Sequence, residues 1–466
     1  MKKKILLISL LAALILFSIV PAARFISSKP LLAGDTPYYH LRIAESIKEE
    51  GIPEFDPLVD RPYQPNLYHL LLALQPALLS LILPILSGLF SVIIFYLILD
   101  KLNISQLNRS SIMITLVLSP LFISVFTFSN EFSLILLLIL LGFYCFIKGK
   151  HNFIFALAIS ALMPFFGTLP LLILLSSFLI YSLNYQKNFK YFYIILGSSA
   201  LVYSAYQIPF LLTYGFPHKT SLISSNILAN LISDLGAKYG FGIFNIILAS
   251  VGFYRLWRIK KQITAYSLLA LLVIFAFYAP TAYIYLTFIS AIFAGFGLSS
   301  IIKMRWKIDL IKTLTIILII CGLFFSTLSY INRTANSLPD KDVIKSMEWI
   351  KENTPSNSVI LSHYSKGNWI TAIADRKVVL DSQADYIKNI KERSLDVNTT
   401  FYSRNLVTTE KLLSKYNVHY LWIDSKMRSG QVWSKEQEGI LFLFRNSEKF
   451  KKVYSKDSIE VWEYLG

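Results

Sequence analysis

Gly34-Asp35-Thr36-Pro37-Tyr38-Tyr39-His40-Leu41-Arg42 follows directly on an apolar run over residues 5–25. Such a run can cross about 30 Å of hydrocarbon at 1.5 Å per residue, so the stretch begins where the chain leaves a membrane. It sets one carboxylate, Asp35, at the membrane edge among aromatic side chains, ahead of a helix predicted over 37–50.

The rest of the chain repeats the membrane signal. Of its 466 residues 55% are hydrophobic and 15% aromatic, more than a soluble domain can hide. Apolar runs at 5–25, 70–99, 111–129, 132–147, 152–166, 168–184, 191–213, 241–256, 264–279, 284–301 and 309–330 predict about eleven transmembrane helices. The 70–99 run is too long for one straight span, so its start from Tyr68 to Leu74 is expected to lie along the interface before the chain enters at Pro76. Residues 1–25 also fit a signal peptide cut near Ala22-Ala23, but a retained first helix is the preferred reading.

Charge sets the orientation. Lys2, Lys3, Lys4, Lys101, Arg109, Lys148, Lys150, Lys187, Lys190, Arg255, Arg258, Lys260, Lys261, Lys303, Arg305 and Lys307 fall in alternate connections, which therefore face the cytoplasm. Asp35, Glu45, Glu49, Glu50, Glu54, Asp56, Asp60, Glu131 and Asp234 fall on the opposite side. The N-terminus is thus expected inside and the tail outside, in a multi-pass plasma membrane protein. The net charge of +17 is largely membrane-side Lys and Arg, with 25 basic against 11 acidic residues before residue 335 and 20 against 17 after it. This excludes nucleic acid as the natural partner. Cys145 and Cys321 lie in predicted spans facing opposite membrane halves, so neither a disulfide nor a cysteine metal cluster is expected.

From residue 335 the apolar runs shorten and charges return. Val343–Asn353 reads as an amphipathic helix, Ser358–Ser362, Lys377–Leu380 and Val418–Ile423 as strands, and Thr408–Lys415 and Ser434–Phe444 as helices. The third strand is apolar throughout and so central in a sheet. The chain divides into a membrane domain over 1–334 and an extracytoplasmic α/β domain over 335–466.

Position alone gives the polar residues of the outer face ordinary roles. An Asp after a span often caps the next helix, and a Glu at a helix N-terminus, as Glu131 would be, is favoured by the dipole. Glu45, Glu49 and Glu50 suit the wet side of helix 37–50, while Tyr63, Tyr68 and His69 suit an interfacial aromatic belt. Paired broken helices and mid-membrane charges, which would mark a transporter, are lacking.

The string 34–42 resembles the first extracytoplasmic loop of the GT-C superfamily of membrane glycosyltransferases. It is most similar to that of the archaeal and eukaryotic oligosaccharyltransferase catalytic subunit, which reads Asp-Pro-Tyr-Tyr-His-Leu-Arg; Asp35, Tyr38, Tyr39, His40, Leu41 and Arg42 carry the match. The similarity to archaeal forms points to an archaeal source. The resemblance implies a polytopic GT-C-like helical domain with a C-terminal α/β domain, and transfer of a sugar from a polyprenyl-phosphate donor such as a dolichyl phosphate. It makes Asp35 the general base. Asn130-Glu131 stands where such enzymes often carry a second acidic motif, so Glu131, with His40, becomes an acceptor or metal candidate. If Asp35 and Glu131 converge, Mg or Mn between them is expected. Arg42 and Arg61 are the nearest cations for a departing phosphate.

The chain departs from that family in three places. Trp-Trp-Asp-Tyr-Gly, which binds the acceptor sequon, is replaced by His363-Tyr364-Ser365-Lys366-Gly367, although Gly367, Trp369-Ile370 and Ala374–Asp381 match its flank. The loop 214–240 has Asp234 as its only acid in place of a glutamate, and no arginine stands near Ala279–Tyr283; His218 and Lys219 are candidates to replace it at the phosphate. The expectation is therefore a GT-C enzyme with a glycan, lipid or protein acceptor at the outer face. A divergent oligosaccharyltransferase acting on Asn-x-Ser/Thr and a catalytically silent relative that binds glycan-lipids or partner proteins stay open beside it.

Overall fold

A computed structural model describes residues 2–215, 231–257, 266, 280–383 and 386–466. Helix α1 (Lys2–Ile26) leads to α2 (Thr36–Glu50), a small hairpin of β1 (Phe55–Asp56) and β2 (Arg61–Pro62), and α3 (Leu67–Ala73). Then follow α4 (Pro76–Lys101), α5 (Gln106–Val117), α6 (Pro120–Thr127), α7 (Glu131–Lys148), α8 (Phe153–Leu162), α9 (Thr168–Tyr185) and α10 (Phe189–Tyr214). The helical part closes with α11 (Ile243–Trp257), α12 (Thr287–Lys303) and α13 (Asp309–Ala335).

Among the described residues seven helices are long and apolar enough to cross a membrane, eight if α5 and α6 count as one span bent by 58° at Ser119-Pro120. The bend has a cause: proline cannot donate to the preceding turn, so one helix ends and the next starts. The runs at 152–166 and 241–256 form shorter apolar helices, and the run at 264–279 lies outside the described residues. Leu11, Ile15, Leu201, Leu212, Leu314 and Phe325 stand exposed on the spans, as lipid-facing side chains do. The α11–α12 contact is built on glycine: a Cβ on Gly252 would lie 1.9 Å from the Phe293 carbonyl oxygen, so the two backbones nearly touch. The predicted interfacial start of the 70–99 run is α3, which ends before Pro76 opens α4.

Beyond α13 lies an α/β region. Its sheet has the order β4 (Lys377–Val378), β3 (Val359–Leu361), β5 (Val418–Ile423), β7 (Ile459–Tyr464), β6 (Phe450–Lys456). The first three strands are parallel and the last two antiparallel, with the apolar β5 in the middle as expected. Helices α14 (Lys341–Asn353), α15 (Ile390–Tyr402), α16 (Leu406–Lys415) and α17 (Ile440–Asn446) pack around it. Of the helix predicted over 434–444, the structure keeps only the second half, in α17.

The first loop belongs to this region as much as to the spans. Leu32, Tyr38 and Val59 are buried in the same core as Ile360, Trp369 and Leu380. Arg24, at the end of α1 and fully buried, donates to the carbonyls of Pro30 at 2.6 Å, Ser337 at 2.7 Å and Pro339 at 2.6 Å, tying the first loop to the chain leaving α13.

Candidate active site

Asp35 occupies the N-cap position of α2, yet its side chain makes no capping bond. The carboxylate turns to the α/β region instead. Its Oδ1 accepts from the backbone N–H of Asn368 at 3.2 Å, its Oδ2 accepts from the Asn368 amide at 2.8 Å, and the Ser382 hydroxyl also donates to Oδ2. The Asn368 amide reaches Ser382 Oγ as well, at 3.0 Å. Around this clamp Trp369 Nε1 donates to the Gly34 carbonyl at 2.9 Å, and Gly34 N–H to the Leu338 carbonyl at 2.8 Å. Gly367 makes the approach possible, because a Cβ there would meet the Leu380 carbonyl oxygen at 2.5 Å. Burial raises the Asp35 carboxyl to about 7, against the pull of Ser382, Lys238 and Asn368 toward the charged form. A carboxyl in that range is a stronger base than a solvated one and is about half ionised at pH 7.

The nearby cations are not equivalent. Arg42 on α2 holds Asp56 in a two-pronged pair at 2.9 and 2.6 Å. Arg61 on β2 is buried, binds Asp56 at 2.9 Å and Asp381 at 3.0 Å, and lies over the Tyr39 ring. Burial pushes Asp56 up, but Arg42 and Arg61 outweigh it and hold the carboxyl at about 2. Lys366 pairs with Asp424 at 2.8 Å, both buried. Lys238 differs from all of these: its ammonium donates to the Thr36 hydroxyl at 2.7 Å, beside Asp35, and lies 5.3 Å from the Tyr239 ring centre. Its side chain is open to solvent, yet enough protein surrounds the ammonium for burial to lower its pKa while Asp35 opposes that shift. His218 and Lys219 lie outside the described residues.

His40 is buried on α2 and joins a chain that the belt reading of Tyr63, Tyr68 and His69 had not foreseen. His40 Nδ1 and His69 Nε2 are 2.7 Å apart, and His69 Nδ1 is 2.9 Å from the Tyr63 hydroxyl. Tyr63, Tyr68 and His69 are buried, so they form an internal polar cluster rather than an interfacial belt. Burial, reinforced by His69, drives His40 well below its ordinary value; burial with Arg42 and Arg61 takes His69 to about 3. Both rings are therefore neutral at pH 7. Glu131 opens α7, whose cap is supplied by Asn130, and accepts from the Asn66 amide at 2.5 Å. The Tyr239 phenol, under Lys238, feels the Glu131 charge.

No protein-family model and no curated protein match this chain. Solved structures do. The apo oligosaccharyltransferase of Archaeoglobus fulgidus is similar over 99% of this chain and 74% of its own, at 15% identity and a TM-score of 0.60. ArnT from Cupriavidus metallidurans, in the apo state, is similar over 96% of this chain and 97% of its own, at 11% identity and a TM-score of 0.57. The same protein bound to undecaprenyl phosphate gives 9% identity and a TM-score of 0.56. The fold is that of the GT-C glycosyltransferases.

The sequence reading singled out Asp35, but it missed the three groups that surround it. Asn368 and Ser382 lie 333 and 347 residues away along the chain, and Lys238 sits in a loop with no motif of its own. The one signal for Asn368 was its position between Gly367 and Trp369 in the matching flank. A metal ion at Asp35 has also to be tested against the residues present, since the A. fulgidus oligosaccharyltransferase is known in complex with Zn and sulfate. Among the described residues no group of three or more His, Cys, Asp or Glu is close enough to hold an ion, and Asp35 already carries three donors. This donor set does not fit a divalent metal.

Proposed function

We propose that the protein is an integral-membrane glycosyltransferase that moves a sugar from a polyprenyl-phosphate donor to an acceptor at the outer membrane face, with Asp35 as general base. The observation that carries this reading is the Asp35 carboxyl on a GT-C fold, raised to about 7 at the membrane edge, with the Lys238 ammonium beside it. The acceptor's hydroxyl or amide proton passes to Asp35 as the acceptor attacks the anomeric carbon. The bond from that carbon to the phosphate oxygen breaks, and the lipid phosphate leaves with the electron pair and its charge. Asn368 and Ser382 orient the carboxylate, and the His40–His69–Tyr63 chain holds the neighbouring helices α2 and α3 together.

The outer placement rests on the Lys and Arg of the alternate connections, which would keep residues 335–466 outside and the N-terminus in the cytoplasm. The acceptor is read as something other than Asn-x-Ser/Thr. Where the sequon-binding residues would stand, His363 Nδ1 meets Ser365 Oγ at 2.8 Å, and Gln431 donates to both at 3.1 Å. A polar, partly open group of this kind suits a glycan or lipid-linked sugar better than a peptide hydroxyl.

Sugar transfer from a panel of polyprenyl-phosphate donors in reconstituted membranes tests the reading. Asp35→Asn and Asp35→Ala, at matched folding, are each expected to lose at least about a hundredfold in rate, as removal of a general base does. Full activity in both variants would remove Asp35 from the mechanism. No transfer by the wild type would favour a silent, lipid-glycan-binding relative.

A further inference from the structure

Phosphate departure from a lipid donor needs a positive group at the developing charge, and a divalent ion is one common solution. Such an ion wants about six oxygen ligands at roughly 2.1 Å in a near-octahedral set. Asp35 is poorly placed to begin one. The Asn368 N–H, the Asn368 amide and the Ser382 hydroxyl already point at its two oxygens; Asn368 follows Gly367, which packs against Leu380 and Asp381, and Ser382 follows Asp381. The other candidate ligands are committed too: His40 to His69, and Glu131 to the Asn66 amide.

The organic cations around the site divide cleanly. Arg42, Arg61 and Lys366 are each neutralised by a buried carboxylate, Asp56, Asp56 with Asp381, and Asp424 in turn. Among the described residues Lys238 forms no ion pair, and its one hydrogen bond is to the neutral Thr36 hydroxyl. It is also held in place. Arg333 on α13 donates to the carbonyls of Ser233 at 2.6 Å and Ala237 at 2.7 Å, and Asp234 accepts from Ile243 N–H at 2.7 Å and from Ser326 at 3.0 Å. A solvent-exposed ammonium with no ion pair among the described residues thus stands one residue from the base.

We infer that the Lys238 ammonium meets the charge of the departing lipid phosphate in place of a divalent cation, so that sugar transfer by this protein is independent of metal. The inference rests on the transfer reading for its chemistry, but its cation assignment can be tested without turnover. The lysine donates up to three hydrogen bonds and a full charge to phosphate oxygens, while the acceptor proton goes to Asp35.

The experiment uses the full chain, purified, stripped with EDTA and reconstituted. Mn²⁺ binding is followed by electron paramagnetic resonance, undecaprenyl phosphate binding is measured directly, and transfer is assayed with and without chelator. The expected result is no stoichiometric Mn²⁺ site, and transfer within about twofold in EDTA. Lys238→Met should weaken undecaprenyl phosphate about tenfold, the loss expected for one charge-assisted contact, and Lys238→Arg should restore most of it. One equivalent of Mn²⁺ bound by the wild type and lost in Asp35→Asn would overturn the inference, as would activity abolished by EDTA and restored by Mg²⁺ or Mn²⁺. Unchanged lipid-phosphate binding in Lys238→Met would overturn it as well. If the wild type transfers no sugar under any condition, the transfer reading fails, and the Mn²⁺ and lipid-phosphate titrations still decide the cation.

Discussion

Burial and hydrogen bonding pull Asp35 in opposite directions, and their balance sets when it can accept a proton. Because its carboxyl is raised to about 7 in the folded protein, the rate should climb through pH 7 as the base ionises, with an ascending limb near that value. Ser382→Ala removes a donor that favours the charged form, so the limb should move to higher pH; a pH–rate profile of the two proteins checks both shifts. The stability sign is the reverse. The folded carboxyl holds its proton to higher pH than the unfolded one, so its contribution to stability is present below about 4 and fades as pH rises toward 7. At this scale the sequence was legible for Asp35, because a nine-residue string surrounds it. It was silent about Ser382 and Lys238, whose role comes from a meeting in space. The same distance hid the partners of Arg61: its contact Asp381 lies 320 residues away, so a cation that reads as free for phosphate is held by carboxylates.

At the level of elements, the short turn opened by Gly367 delivers Asn368 to Asp35. Gly367→Ala would drive a Cβ to 2.5 Å from the Leu380 carbonyl oxygen, and backbone cannot give way cheaply. The expected cost is about 1–3 kcal/mol of stability, with a fall of at least about tenfold in transfer as Asn368 leaves the carboxylate. Thermal unfolding and the transfer assay read the two effects. Element prediction from sequence succeeded where apolar periodicity was strong, as in α3 breaking before Pro76 and in the central strand β5. It missed the closing hairpin of β6 and β7. Lys451, Lys452 and Lys456 on the edge strand β6 are exposed, which protects the sheet edge and erases the apolar alternation that marks a strand. It missed α15 for a related reason: Lys391, Glu392, Arg393, Asp396 and Asn398 leave little apolar pattern to read. The bend between α5 and α6 was hidden by uniform hydrophobicity, where only Pro120 breaks the run.

Across the whole molecule, the membrane helices and the α/β region are joined by buried charge. Arg61 serves Asp56 from its own hairpin and Asp381 from the far end of the chain. Arg61→Met would strand the buried Asp381 carboxylate and leave Asp56 to Arg42 alone, and is expected to destabilise the protein by ~3–5 kcal/mol. Adding Asp381→Asn should recover part of that loss, which a double-mutant cycle in denaturant would show as coupling. A simple sum of the two single effects would mean that the pair is not a joint between the two parts. Arg24 works at the same seam with a different chemistry, binding only carbonyls, three of them from residues 335–339. That has a consequence for how the protein is made. A ribosome delivers Arg24 and Asp35 early, but three of the carbonyls that fix the one and the donors that hold the other emerge only at or beyond the end of α13. Until then Asp35 of a nascent chain stands without its clamp, so an incomplete product reaching the membrane carries a carboxyl with nothing to aim it.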